Sequence, residues 1–226
     1  MFSFEYFLFI APALLLGIWA QFRVRATYAA ARQMVAPLSG AAAARHILDS
    51  AGLQQIKIEQ IPGRLSDHYD PRHKVLRLSQ EVYQSRSLAA VGIAAHEAGH
   101  AIQDARAYVP LMVRNAAVPV AGFGSNASFL LIFLGLIFQS LSFLVLVGIG
   151  LFACVVFFQL VNLPVEFNAS SRAKAELVGL GITNQQQLVY VDKVLSAAAW
   201  TYVAATLQAA LTLLYYIMLF TGGNRD

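Results

Sequence analysis

Four apolar runs, each long enough to cross about 30 Å of hydrocarbon at about 1.5 Å per helical residue, dominate this chain. They are 2–22 (FSFEYFLFIAPALLLGIWAQF), 118–138 (ending FLLIFLGLIF), 142–163 (SFLVLVGIGLFACVVFFQLVNL) and 197–220 (AAAWTYVAATLQAALTLLYYIMLF). Lipid offers no partner for backbone N–H and C=O groups, so such runs must be helices. The composition agrees: 58% of the 226 residues are apolar and the mean hydropathy is +0.59, too high for an ordinary soluble domain. The first run lacks the basic start of a signal peptide and is followed by Arg23 and Arg25, which suits a retained spanning helix over 3–22. Only the turn QSLS (139–142), whose last serine opens the third run, separates the second and third runs, so these two form an antiparallel hairpin. The glycine-rich VAGFGSNAS (120–128) leaves open a partly re-entrant second run.

Charge orients the spans, because Lys and Arg accumulate on the cytoplasmic side. Arg23, Arg25 and Arg32 follow the first span, Arg106 and Arg114 precede the second, and Arg172, Lys174 and Lys193 lie between the third and fourth. Alternating helices put all of these on one face. The opposite face receives both termini, with Arg225, and the uncharged hairpin turn. Residues 23–116 and 164–196 are therefore expected to face the cytoplasm. The net charge of +4, from 16 basic and 12 acidic residues, gives no dense basic stripe and argues against nucleic acid as a partner. A lone Cys154 in an apolar run excludes an intrachain disulfide or a cysteine-ligated metal.

Residues 23–116 alone have soluble character. LSGAAAARHILDSAG (38–52) predicts a helix capped by Ser39 and ended by Gly52; IKIEQI (56–61) and HKVLRL (73–78) predict strands, with a turn at Pro62-Gly63. From Ser87, SLAAVGIAAHEAGHAIQDARAY predicts a helix of about 20 residues. Its His96, Glu97, His100 and Asp104 make a fifth span costly, so it packs on protein or lies at the membrane face.

That helix carries His96-Glu97-Ala98-Gly99-His100. Residues i and i+4 share a helix face, so both imidazoles address one point, and Glu97 reaches beside it without binding an ion. Two histidines on Zn²⁺ with an adjacent carboxylate as general base is a hydrolytic arrangement. Manganese or cobalt would also suit these donors. A catalytic zinc takes three protein ligands and leaves one position open. By residue type the third is Glu166, just past the third span and next to Pro164, or one of His68, Asp67 and Asp70 in the loop SDHYDP. A helix beginning at Pro164 would put Glu166 in its first turn. Arg172, His68, Tyr69 and Asn162 are candidate donors to a tetrahedral intermediate. Lys74, Val75, Leu76, Arg77 and Leu78 form the candidate edge strand along which an extended polypeptide could pair.

The HEAGH run, DHYDP, LRLS and NLPVEFNASSRA together resemble the YugP-type family of small bacterial membrane zinc metallopeptidases over nearly the whole chain. More distantly, the chain is similar to the HtpX heat-shock proteases and the CAAX prenyl proteases. The resemblance implies a zincin-like α+β part within a mostly α-helical integral membrane protein of four transmembrane helices. It also implies a third ligand from an E-x-x-A-D pattern in a later helix. The matching run is Glu166-Phe167-Asn168-Ala169-Ser170, so Glu166 takes the ligand position and Ser170 stands where the relatives have the aspartate that orients a ligand. The expected function is a gluzincin-like zinc endopeptidase acting on unfolded or juxtamembrane segments, alone, as a homo-oligomer or with a protein partner in the bilayer. The alternative is a noncatalytic membrane scaffold retaining a structural metal. A transporter fits less well, since the spans hold hardly any ionisable residues.

Overall fold

The computed structural model describes residues 4–222. Seven helices and a small sheet follow in the order α1 (Phe4–Arg32), α2 (Gly40–Ser50), β1 (Lys57–Ile61), β2 (His68–Asp70), β3 (Val75–Ser79), α3 (Gln80–Gln84), α4 (Leu88–Ala105), α5 (Val109–Ile137), α6 (Phe143–Gly179) and α7 (Gln185–Gly222). The chain is thus mostly α-helical, with a small α+β part. Four helices, α1, α5, α6 and α7, are long and apolar enough to cross a membrane. Met1–Trp19, Met112–Pro164 and Trp200–Asp226 form one compact unit; Ala20–Leu111 and Val165–Ala199 form the other.

In the first unit, Glu5 and Arg114 are the only charged side chains among the described residues; Arg225 lies outside them. Arg114 Nε donates to Asn162 Oδ1 (3.1 Å). The interior holds Ile132, Phe152 and Tyr216, with Phe152 edge-on to Tyr216. Tyr6 Oη and Thr212 Oγ1 lie 3.2 Å apart, satisfying two hydroxyls where water is scarce. Phe7, Leu8, Phe123, Phe133, Leu146 and Phe157 are exposed, an outward apolar surface suited to lipid. The run 120–128 is helical throughout, so α5 has no re-entrant break.

The second unit builds its core from α2, α4 and the sheet. Ser39 Oγ accepts from Ala42 N and Ser87 Oγ from Ala90 N, capping α2 and α4 as their sequences predict. Gly52, at φ +76°, turns the chain after α2. Beneath α4 lie Ile47, Leu48, Leu76, Leu78 and Val82, all fully buried.

Two expectations are corrected. The segment Lys74–Leu78 is not an edge: β3 is central, parallel to β1 and antiparallel to β2. Both its hydrogen-bonding sides are occupied, Val75, Leu76 and Leu78 are buried, and Lys74 precedes the strand at φ +54°. The edge on its antiparallel side is β2, too short to stand out by alternation. Nor does Pro164 begin a helix; it lies inside α6, which continues to Gly179. Proline lacks an N–H and forgoes one bond of the helix ladder there, a loss the long helix tolerates. Glu166 is therefore an interior helical residue and has no helix-start dipole to favour it.

Helices α4 and α6 meet closely at Gly99. A Cβ there would stand 2.7 Å from the Ala169 carbonyl oxygen, which is backbone and cannot swing away. Gly99→Ala should therefore push α6 off α4 and destabilise the fold by about 1–3 kcal/mol. At Gly179 a Cβ meets nothing within 4 Å. Gly179→Ala should be neutral or slightly stabilising. Thermal unfolding of the two variants in detergent checks the contrast.

Candidate metal centre

The H-E-x-x-H spacing works because α4 is regular: one turn separates His96 from His100, and their rings sit 4.8 Å apart, nearly perpendicular at 86°. Across the Gly99 contact, α6 presents Glu166. Its Oε2 is 3.2 Å from His96 Nε2 and 3.7 Å from His100 Nε2. One donor atom from each of the three residues lies within 4.8 Å of the others. Three donors arranged tetrahedrally about zinc at 2.0–2.1 Å would be spaced by about 3.3–3.4 Å, and the two distances from Glu166 Oε2 lie close to that spacing. Imidazole and carboxylate are also the donor types zinc accepts.

Burial sharpens the electrostatics. Glu166 is 4% exposed and His100 7%. Burial alone would raise the Glu166 carboxyl, but close contact with His100, the hydrogen bond with His96 and the charge of both rings outweigh it and hold the group well below the ordinary carboxylate range. Burial alone would likewise lower the His100 imidazole. Its close contact with the Glu166 carboxylate and the charges of Glu97 and Glu166 instead hold it above the ordinary histidine value. A buried carboxylate facing two imidazoles is a group that needs a cation, whether protons on the rings or a metal between them.

Each imidazole is held from behind. His96 Nδ1 lies 3.1 Å from Ser170 Oγ, a hydroxyl placed to orient this ring. His100 Nδ1 lies 2.9 Å from Gln103 Oε1. Sequence reading missed Gln103; its signal is a polar residue one turn after His100 on the same face of an otherwise apolar helix. Glu97 Oε2 accepts the backbone N–H of Tyr69 at 3.1 Å, which ties this carboxylate to β2. Its Oε1 has no hydrogen-bond partner among the described residues.

The remaining candidates are engaged elsewhere. The Tyr69 hydroxyl donates to Asp104 Oδ2 at 2.7 Å, and this contact together with burial pushes the phenol well up. Lys74 pairs with the same carboxylate. His68 is exposed, its Nδ1 2.8 Å from the Ser66 carbonyl oxygen. Arg77 binds Asp70 (2.6 Å) and Glu59 (3.4 Å). Arg172 Nε donates to Asn168 Oδ1 at 2.7 Å, with its guanidinium 6.0 Å from the centre of the Tyr108 ring. Asn162 belongs to the other unit. Of the rival ligands, Asp67 accepts from Ser79 N (2.7 Å) and its hydroxyl, while Asp70 is held by Arg77, His73 and the Arg72 N–H.

Comparison with known proteins agrees with this geometry. The sequence model of the family described as "Putative neutral zinc metallopeptidase" matches residues 6–221. The chain is 45% identical over 223 residues to the "Putative membrane protease YugP" of Bacillus subtilis (strain 168), covering 97% of this chain and 99% of that protein. No solved structure shows a significant match. With the likeness extending from the first apolar helix to the last, the chain belongs to the neutral zinc metallopeptidase family.

Proposed function

We propose that this protein is a zinc-dependent integral membrane endopeptidase that hydrolyses peptide bonds in unfolded or juxtamembrane segments. The observation that carries the reading is the meeting of His96, His100 and Glu166 around one point, with Glu97 on the adjacent position of α4. The three ligands would hold Zn²⁺, which when bound supplies Lewis acidity to polarise a water and a peptide carbonyl. Glu97, steadied at Oε2 by Tyr69 N–H, has Oε1 to accept a proton from the attacking water. Water oxygen bonds to the carbonyl carbon, the C–N bond breaks, and the proton held at Glu97 passes to the leaving nitrogen. An extended substrate would lie along β2, the strand whose backbone already reaches the catalytic helix, instead of along β3.

The proposed setting is the bacterial inner membrane, with spans at 3–22, 118–138, 142–163 and 197–220 and both termini outside. Residues 23–116 and 164–196 would then face the cytoplasm. The support is charge: apart from Glu5, Arg114, Arg225 and Asp226, every charged residue falls in the unit that contains the site.

Glu97→Gln should keep zinc and lose at least about 100-fold in cleavage of an unstructured protein such as casein, since it removes the base and leaves the ligands. Retained cleavage would sink the peptidase assignment, and a wild type that binds zinc yet cleaves nothing would favour the scaffold. Glu166→Ala should lower zinc content measured on the purified protein, with both histidines still in place. Zinc affinity should also depend on pH through His100. Its metal-free pKa is raised, so protons compete with the ion up to a pH above the ordinary histidine value. Affinity measured by chelator competition should rise as pH rises through that range. The stability of the metal-free protein should move the other way, because the contribution of protonated His100 is complete below its unfolded pKa and is lost above its folded one.

A further inference from the structure

Gln103 is completely buried, at 0% exposure, three residues beyond His100 on α4. Its side chain touches both helices of the centre. Oε1 faces His100 Nδ1, while Nε2 donates to the Val165 carbonyl at 2.8 Å and to Asn168 Oδ1 at 3.0 Å. Val165 is the residue before Glu166, so the same amide grips the turn of α6 that presents the third ligand.

Hydrogen-bond polarity gives this bridge a direction. A backbone carbonyl can only accept, so the amide nitrogen of Gln103 must be the atom facing Val165. Asn168 agrees, because Arg172 Nε, which can only donate, lies against its Oδ1 and so marks that atom as the acceptor Gln103 meets. With both N–H groups used on α6, only the acceptor Oε1 remains for His100. In its neutral, metal-binding form the imidazole must then carry its proton on Nδ1, which leaves the lone pair on Nε2, the nitrogen turned toward Glu166. Ser170 imposes no such choice on His96, since a hydroxyl donates or accepts equally well.

We propose that Gln103 is the positioning residue of the metal centre, holding His100 in the Nδ1–H tautomer while tying the Glu166 turn of α6 to α4. One side chain thereby sets two ligands that lie far apart in sequence. The inference rests on the reading of His96, His100 and Glu166 as metal ligands, but not on peptide hydrolysis.

The test uses the full chain in detergent with zinc or cobalt alone as the probe. Gln103→Leu removes both halves of the bridge. Gln103→Glu is the conservative variant: it keeps an acceptor toward His100 but sets a carboxylate oxygen against the Val165 carbonyl and Asn168 Oδ1. Zinc affinity by chelator competition should fall about 10- to 100-fold for Gln103→Leu, the usual scale for losing a group behind a metal ligand, and by less for Gln103→Glu. The rise in unfolding temperature on adding zinc should shrink in the same order, and the visible absorption of the cobalt form should change. A merely structural role would lower the unfolding temperature without metal and leave the zinc-induced rise and the cobalt spectrum as in wild type. That result, or zinc affinity within twofold of wild type in both variants, would overturn the proposal; so would a wild type that binds no zinc. A wild type that binds zinc but cleaves no casein would defeat only the peptidase reading.

Discussion

The close approach of α4 and α6 at Gly99 is the contact on which the site depends. A Cβ at that position would press on the Ala169 carbonyl at 2.7 Å, so the two backbones lie close together there. From that close approach Glu166 on one helix brings its carboxylate within 3.2 Å and 3.7 Å of two imidazoles on the other. The small residues on both sides of the contact, Ala95, Ala98 and Ala169, are fully buried. The chemistry and the packing therefore come from the same stretch of helix: the residues between the histidines are small so that the residues beside them can converge.

A second support reaches the centre from the sheet. Strand β2 contributes a backbone N–H to Glu97, and its Tyr69 ends on Asp104, seven residues further along α4. Two anchors on one helix face hold the strand over the intervening turns, since positions 97 and 104 lie two turns apart. Asp67 secures the preceding loop to Ser79 at the end of β3, and Asp70 secures the following turn through Arg77 and His73. The acidic residues of SDHYDP thus place the strand beside Glu97. Their commitments to backbone N–H groups and to Arg77 and His73 explain why residue type alone made them rival ligands and tertiary structure did not.

Much was legible before any coordinates because it is local. Helix periodicity places His96 and His100 on one face, serine caps mark the starts of α2 and α4, and apolar length marks the four long helices. Errors arose where neighbours in space decide. Lys74–Leu78, the strand just before the helix of the histidines, reads from sequence as the edge, yet β1 pairs on its other side and makes it central. Pro164 looks like a helix start, yet α6 runs through it from Phe143 to Gly179. Strand β2 spans only three residues, too few for a periodic signal.

The chain itself determined the chemical vocabulary: two histidines and a carboxylate at helical spacing, in a protein whose apolar runs must be helices in lipid. Those properties follow from backbone geometry within a few residues and need no distant contact. Which glutamate completes the cluster, which nitrogen of His100 faces it, and which amide holds both helices were decided only by folding. His96 and Glu166 are 70 positions apart, and Gln103 and Val165 are 62 apart. Separations of that size carry no periodic signature, and the pairs exist only because two helices pack at a glycine.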